Sequence, residues 1–180
     1  AGRSVRQALR DLLNDHTNEV TRLDEQGLRA LHAVHAADTG VPLADFVRLQ
    51  ARKVNEGRYR GREYFLRFVM DVAEVGEGYG DRRYTPLWLA RIQARVTDDR
   101  EAIFTPCRYG VERVRFLAGE QVADLREIVS YRGRFSAQVR VGEDVVAQGE
   151  LEQVTPQEGA TYHRLIVGGQ RGDYIVRQTR

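Results

Sequence analysis

Asp98, Asp99 and Glu101 are the only tight carboxylate cluster beside an expected strand end in this chain. Paired carboxylates at such spacing can hold the divalent cations of two-metal nucleotidyl transfer. That chemistry normally also has a phosphate-cradling Gly-Ser turn close by, yet the residues before Asp98 read TPLWLARIQARV. Aspartate is also common in hairpin loops, so a turn is the favoured reading and a metal-dependent enzyme the lesser one. His32 and His35 lie three apart with His16 earlier, and no Asp, Glu or His stands at a supporting position, so they read as surface or partly buried histidines rather than ligands. His163 reads as an ordinary strand residue. Cys107 is the sole cysteine, which excludes an intramolecular disulfide and a Cys-based zinc site, and no histidine stands at a signature spacing from it. The chain carries neither a phosphate loop followed by Lys-Ser/Thr nor a Gly-x-Ser-x-Gly elbow. No catalytic residue, metal ligand or cofactor is therefore assigned.

The second kind of chemistry is anion binding. Residues 48–68 read RLQARKVNEGRYRGREYFLRF, with seven positive side chains against two negative. Arg58, Arg60 and Arg62 alternate, so an extended strand would send all three from one face. Arg52 and Lys53 close an expected helix, where cations suit the negative end of its dipole. Tyr59 adds a flat face on which a base could stack. Arg132 and Arg134 flank Gly133 between Tyr131 and Phe135, a second cluster of the same make. If the two converge they form one groove. Arginine neutralises phosphate and tyrosine offers a stacking surface, which is what a nucleic-acid- or nucleotide-binding face requires. The competing reading makes the aromatics core and pairs the arginines with the acidic run Asp71, Glu74, Glu77 and Asp81.

Three helices are expected to lead into these clusters. Val5, Leu9, Leu12 and Leu13 share one face of the first. Asp24 is a candidate N-cap for the second, which carries Leu28, Leu31, Val34 and His35 and stops at Asp38-Thr39-Gly40. Pro42 opens the third, bearing Leu43, Phe46, Val47 and Ala51, with Asn55-Glu56-Gly57 as its stop. After Gly76, Gly78 and Gly80, the alternation of Trp88, Ala90, Ile92, Ala94 and Val96 marks the clearest strand. Residues 102–105 are expected to begin its return, with Pro106 interrupting the pairing, and 111–117 form a further strand with Val114 and Phe116 inward. Residues 126–176 alternate again between Gly-rich breaks, and Glu150 and Glu152 mark a solvent face there. The fold class is α+β: a helical segment (1–57), a basic and aromatic strand with a Gly-rich hinge (58–83), and a small antiparallel β-barrel or strongly twisted sheet (84–180).

With 180 residues there is room for one sizeable core. A net charge of +2 gives no global polyanion signal. Lys53 is the only lysine among 28 basic residues, a bias spread over the whole chain and so better explained by G/C-rich codons than by one bidentate recognition patch. No apolar run approaches 18 residues and no signal peptide is evident, so no membrane partner is expected and cytoplasmic residence is the default. The start, Ala-Gly-Arg without Met, fits a processed product, a trimmed chain or the downstream half of a longer protein.

The stretches ARKVNEGRYRGREYFLRFV, YGDRRYTPL, RIQARVTDDREAIFTPCRY, EIVSYRGRFSAQVRVGEDVVAQGELE and YHRLIVGGQRGDYIV together resemble the C-terminal region of prokaryotic minimal nucleotidyltransferases, in the DNA polymerase β-like superfamily. The resemblance runs from about residue 44 to 176. It implies that a Gly-Ser turn and an Asp-x-Asp pair binding nucleotide and Mg2+ belong to a preceding domain. This chain has neither motif, so no catalytic residue carries over and the resemblance implies an accessory region. A β unit with Arg and aromatic patches would suit an OB-like barrel. The expected function is an accessory nucleic-acid- or nucleotide-binding region using Arg52, Lys53, Arg58, Tyr59, Arg60, Arg62, Tyr131, Arg132, Arg134 and Phe135. The alternative is a structural or oligomerisation role, packing on a missing catalytic domain or on a second copy.

Overall fold

The structure is a computed structural model that describes residues 2–16, 19–35, 39, 41–71, 73–76, 78 and 80–178, with side chains from residue 7 onward. The Val5 side chain, Asp38, Gly40 and Glu77, all used above, lie outside the described residues. The chain is α+β: the described residues form three helices, a three-stranded antiparallel sheet and a mixed six-stranded sheet.

Helix α1 spans Gly2–Asp15, α2 Glu25–His35 and α3 Leu43–Gln50. In α1 only part of the expected face is used: Leu13 is buried with Val20 and Val54, Leu9 packs against them, and Leu12 is exposed. Asp24 caps α2 as its residue type suggests, accepting the Gly27 amide at 2.8 Å. Leu28 of α2 is buried, whereas Val34 is 75% exposed. A His32 ring nitrogen lies 2.8 Å from the Val41 carbonyl oxygen and the ring meets Phe46 edge-on, so this histidine is a packing residue. Pro42 stands one residue before α3, whose Phe46, Leu49 and Gln50 are buried.

The helix stop expected at 55–57 is instead the start of a strand. Strands β1 (Val20–Thr21), β2 (Glu56–Tyr59) and β3 (Arg62–Phe65) form the small sheet, with β2 central. Glycine is needed at position 57 because a Cβ there would stand 2.5 Å from the Thr21 carbonyl oxygen, so the strands close only on a residue without a side chain. Arg60 and Gly61 both have positive φ, 48° and 79°, the signature of a tight primed hairpin turn. That turn overrides the single extended face expected for Arg58, Arg60 and Arg62. Arg58 pairs across the hairpin with Glu63 and Tyr59 with Arg62, so Arg58 and Arg62 leave opposite faces.

The large sheet contains β4 (Arg82–Asp98), β5 (Cys107–Ala118), β6 (Leu125–Ser130), β7 (Asp144–Pro156), β8 (Tyr162–Ile166) and β9 (Tyr174–Arg177). Its order is β4-β5-β6-β8-β7-β9, and β4 also pairs along β7. The expected alternation holds in β4, where Ala90, Ile92, Ala94 and Val96 are buried and Leu89 is exposed. In β5 it changes phase: Cys107, Tyr109 and Val111 are buried, and beyond Arg113, in the left-handed region at φ 52°, Val114 and Phe116 turn inward. The return strand begins at Cys107 rather than near Ala102, because Ala102, Ile103 and Phe104 are buried within the β4–β5 loop. A further expectation is overturned: the sheet is not wholly antiparallel. β7 and β8 form an antiparallel hairpin, and β8 inserts between β7 and β6, which makes β8 run parallel to β6. Period-two alternation reports which face is buried and says nothing of a neighbour's direction. Among the described residues, no helix is long and apolar enough to cross a membrane.

Candidate functional site

The parallel pairing of β6 and β8 brings both of their C-terminal ends to one side of the sheet. Ser130, at the end of β6, is buried and donates its hydroxyl to the Val167 carbonyl at 2.6 Å, while accepting the Arg132 amide at 3.1 Å. The chain then makes a single 3-10 turn, Gly133–Phe135, that drives the Phe135 ring into the core. Opposite it, residues 168–172 loop out between β8 and β9. Gly168 has φ 95°, and a Cβ on it would stand 2.7 Å from the Phe135 ring and 2.9 Å from Arg132 Cγ. Glycine thus lets the loop lie against the turn. Buried Asp173 fixes the loop by accepting the amides of Gly168 at 2.9 Å and Gln170 at 3.0 Å.

Between turn and loop lies an open cleft of about 560 Å³ whose described lining includes Arg67, Arg132, Arg134 and Arg171, with Tyr131 beside them and no acidic side chain. Arg132 donates to the Gly168 carbonyl at 3.2 Å, which orients its guanidinium along the loop. Arg134 is half-buried, its guanidinium 4.9 Å above the Phe135 ring. Burial, and then the neighbouring Arg132, lower its pKa, while Asp173 opposes them. Like charges crowded in a partly dry cleft repel, and an anion held between them would remove that penalty. Tyr131 is 54% exposed at the rim.

A second cavity of about 400 Å³ shares Arg67, Gly133 and Arg134 with this cleft and is also lined by Phe65, Tyr64, Gln50 and Glu56. A third, of about 300 Å³, lies between Arg82, Arg108, Arg126, Tyr162 and the acidic residues Asp98, Glu101 and Glu127. There the charges pair among themselves or with near neighbours: Arg108 with Glu101 at 3.6 Å, Arg126 with Asp124 at 2.6 Å, and Arg82 donating to the Tyr162 hydroxyl at 2.9 Å.

Of the residues singled out in the sequence, Tyr131, Arg132 and Arg134 meet in the arginine cleft. The first cluster goes elsewhere. Arg58 pairs with Asp24 at 2.6 Å and with Glu63, and Arg60 with Glu19 at 2.6 Å, rather than with the 71–81 acidic run. Arg52 pairs with Glu143 at 2.8 Å. Lys53 is 2% exposed and donates to the Arg134 carbonyl at 2.6 Å, so it braces the 3-10 turn from beneath and presents no charge to solvent. Phe135 is likewise a core residue. Tyr59 and Arg62 are exposed but line none of these cavities. Sequence reasoning passed over Arg67 and Arg171; the Gly-rich run GGQRG at 168–172 was the available signal, and it reads equally well as a break between strands.

The other chemistry-bearing residues are absorbed by structure. Asp98 holds Arg100 through hydrogen bonds of 2.5–3.1 Å, Asp99 is buried, and among the described residues no group of three His, Cys, Asp or Glu could hold a metal ion. Cys107 is buried, and burial pushes its thiol up to about 12. A His163 ring nitrogen lies 2.7 Å from the Ala123 carbonyl oxygen. Glu152, expected on a solvent face, forms a largely buried ion pair with Arg164 at 2.8 Å.

An uncharacterized protein of Methanocaldococcus jannaschii is 30% identical to the chain over 169 residues, covering 94% of this chain and 47% of that relative. The chain thus spans about half the length of the curated relative it matches. No protein-family model matches, and no solved structure does.

Proposed function

We propose that this chain is a nucleic-acid- or nucleotide-binding region of a longer, nucleotidyltransferase-like protein, and that its phosphate-contacting surface is the cleft of Arg67, Arg132, Arg134 and Arg171. The observation that carries this reading is the convergence of four arginines, from three separate segments, on an open concavity with no acidic side chain in its described lining. Arginine forks match phosphate geometry, and Tyr131 at the rim offers a face on which a base can stack.

The topology supports the same reading. The pairings run β4-β5-β6-β8-β7 and return from β7 to β4, with β6 and β8 parallel. A ring of five strands in this order would suit an OB-like architecture, one used for oligonucleotides and oligosaccharides. The resemblance to nucleotidyltransferase tails points the same way. In that setting Mg2+ belongs to a catalytic domain outside the chain, and the region described here positions phosphates.

Fluorescence anisotropy with labelled single-stranded DNA and RNA oligonucleotides at 50 and 200 mM salt tests it. Four phosphate contacts on a single strand predict a loss of affinity of about 50-fold across that range. Arg132→Ala and Arg171→Ala should each weaken binding and flatten the log–log salt slope by about 0.7. No binding at low salt, or a slope that neither variant changes, would rule the reading out.

A further inference from the structure

Tyr131, at the rim of the arginine cleft, is tied to a second exposed tyrosine through one buried arginine. Arg164 stands on β8 opposite Glu152 of β7, and its side chain is 3% exposed. The edge of its guanidinium is already bonded. Glu152 Oε2 lies 2.8 Å from both Nε and Nη2, and Nη2 also donates to the Tyr131 hydroxyl at 3.4 Å. The flat face carries the Tyr84 ring, whose centroid is 3.9 Å from Cζ, a stacked cation–π contact. Tyr84 stands on β4 opposite Val154, and Pro86 opposite Glu152, so Arg164 reaches across β7 to meet the Tyr84 ring. One face of that ring is spent on the guanidinium, yet Tyr84 remains 40% exposed, so its accessible surface lies on the side away from Arg164. Tyr84 and Tyr131 are therefore two accessible aromatic groups held through a single guanidinium whose charge Glu152 neutralises.

We infer that the ligand of the arginine cleft is a single strand rather than a lone nucleotide, with two successive unpaired bases stacked on Tyr131 and Tyr84. The inference rests on the phosphate-binding reading and names its ligand class. A mononucleotide uses one stacking face, and a second face joined to the first serves only a ligand that brings a second base. Aromatic side chains beside a basic groove hold single strands in this way, because every base has a face to stack. Arg164 fixes the Tyr84 ring before a ligand arrives, so little rotamer freedom is left to lose on binding. The run ends at two bases. Tyr162 stands opposite the same Val154 as Tyr84, and it lines the third cavity, where Asp98, Glu101 and Glu127 disfavour a further phosphate.

Titration with 5′-phosphorylated dinucleotides of deoxythymidylate and of uridylate, each also made with an abasic sugar at its first or its second position, tests it. Charge is constant within a series, so any difference in affinity comes from the bases. Each missing base should weaken binding to the wild type by about fivefold or more. Tyr84→Ala should weaken the intact dinucleotide by a similar factor and abolish the effect of one of the two abasic positions. It should leave the salt slope and the affinity for inorganic tripolyphosphate unchanged, because stacking releases no counterions. Tyr84→Phe, which keeps the ring, should bind like the wild type. Discrimination in either series supports the second stacking face and says which sugar the strand carries. An abasic position without effect on the wild type in both series, or two positions that cost Tyr84→Ala as much as the wild type, overturns that face while the arginine cleft stands. Loss of tripolyphosphate binding in Tyr84→Ala overturns it too, since the ring would then be supporting the cleft. Binding of neither dinucleotides nor tripolyphosphate to the wild type overturns both readings.

Discussion

Single residues in this protein change meaning once their neighbours are known. Lys53 looks like a surface cation at a helix end, but it is buried and holds the Arg134 carbonyl, so its charge shapes the cleft without facing it. Cys107 is the sole cysteine. Burial raises its pKa from 9.0 to about 12, which keeps the thiol protonated at ordinary pH. Two outcomes follow. Labelling by a thiol reagent at pH 8 should stay at background until denaturant is added, and fast labelling of the folded protein would contradict the burial. A thiol whose folded pKa is raised stabilises fully below its unfolded value and loses that contribution as pH climbs, here between 9.0 and about 12. The stability difference between wild type and Cys107→Ala, measured by urea melts, should therefore narrow across that window.

At the level of elements, the cleft depends on one close approach, the loop at 168–172 against the turn at 133–135. Gly168 allows it through a positive φ of 95° and through having no Cβ to meet Phe135 and Arg132. Gly168→Ala should cost about 3 kcal/mol, combining left-handed strain with overpacking. At this chain length that is a fall in Tm of roughly 6–12 °C. Because the displaced loop carries Arg171, the variant should also bind anions less tightly than Arg171→Ala alone would explain. A melting temperature within a degree of wild type would show that the loop does not rest on the turn. The small hairpin teaches the same lesson about turns. Arg58, Arg60 and Arg62 alternate in sequence, but the primed turn at Arg60-Gly61 puts Arg58 and Arg62 on opposite faces and leaves Arg60 to pair with Glu19.

At the scale of the whole molecule, the described residues form two cores of unequal size. The large sheet closes over a continuous cluster that includes Ile92, Val96, Tyr109, Ile128, Leu151 and Leu165, whereas the small sheet and α1 share only Leu13, Val20 and Val54 with Leu9 and Tyr64 at their edge. Local opening free energy follows such burial, so amide hydrogens of β1–β3 should exchange well before those of β4–β8 in hydrogen-exchange mass spectrometry. Equal protection would mean that the two parts unfold as one. Much of this architecture could be read without coordinates. The Asp24 cap, the three helices, the buried face of β4 and the second Arg/aromatic cluster all follow from local chemistry, because capping, periodicity and residue type act over a few neighbouring positions. Long-range partners could not be read that way. Which carboxylate takes Arg58 or Arg60, that β8 runs parallel to β6, and that Arg67 and Arg171 join Arg132 and Arg134 are decided by which strand edges meet. A period-two pattern specifies a face and leaves the neighbour open, so the sequence determined the strands and the arginines, and only the closing of the sheet decided which of those arginines share a cleft.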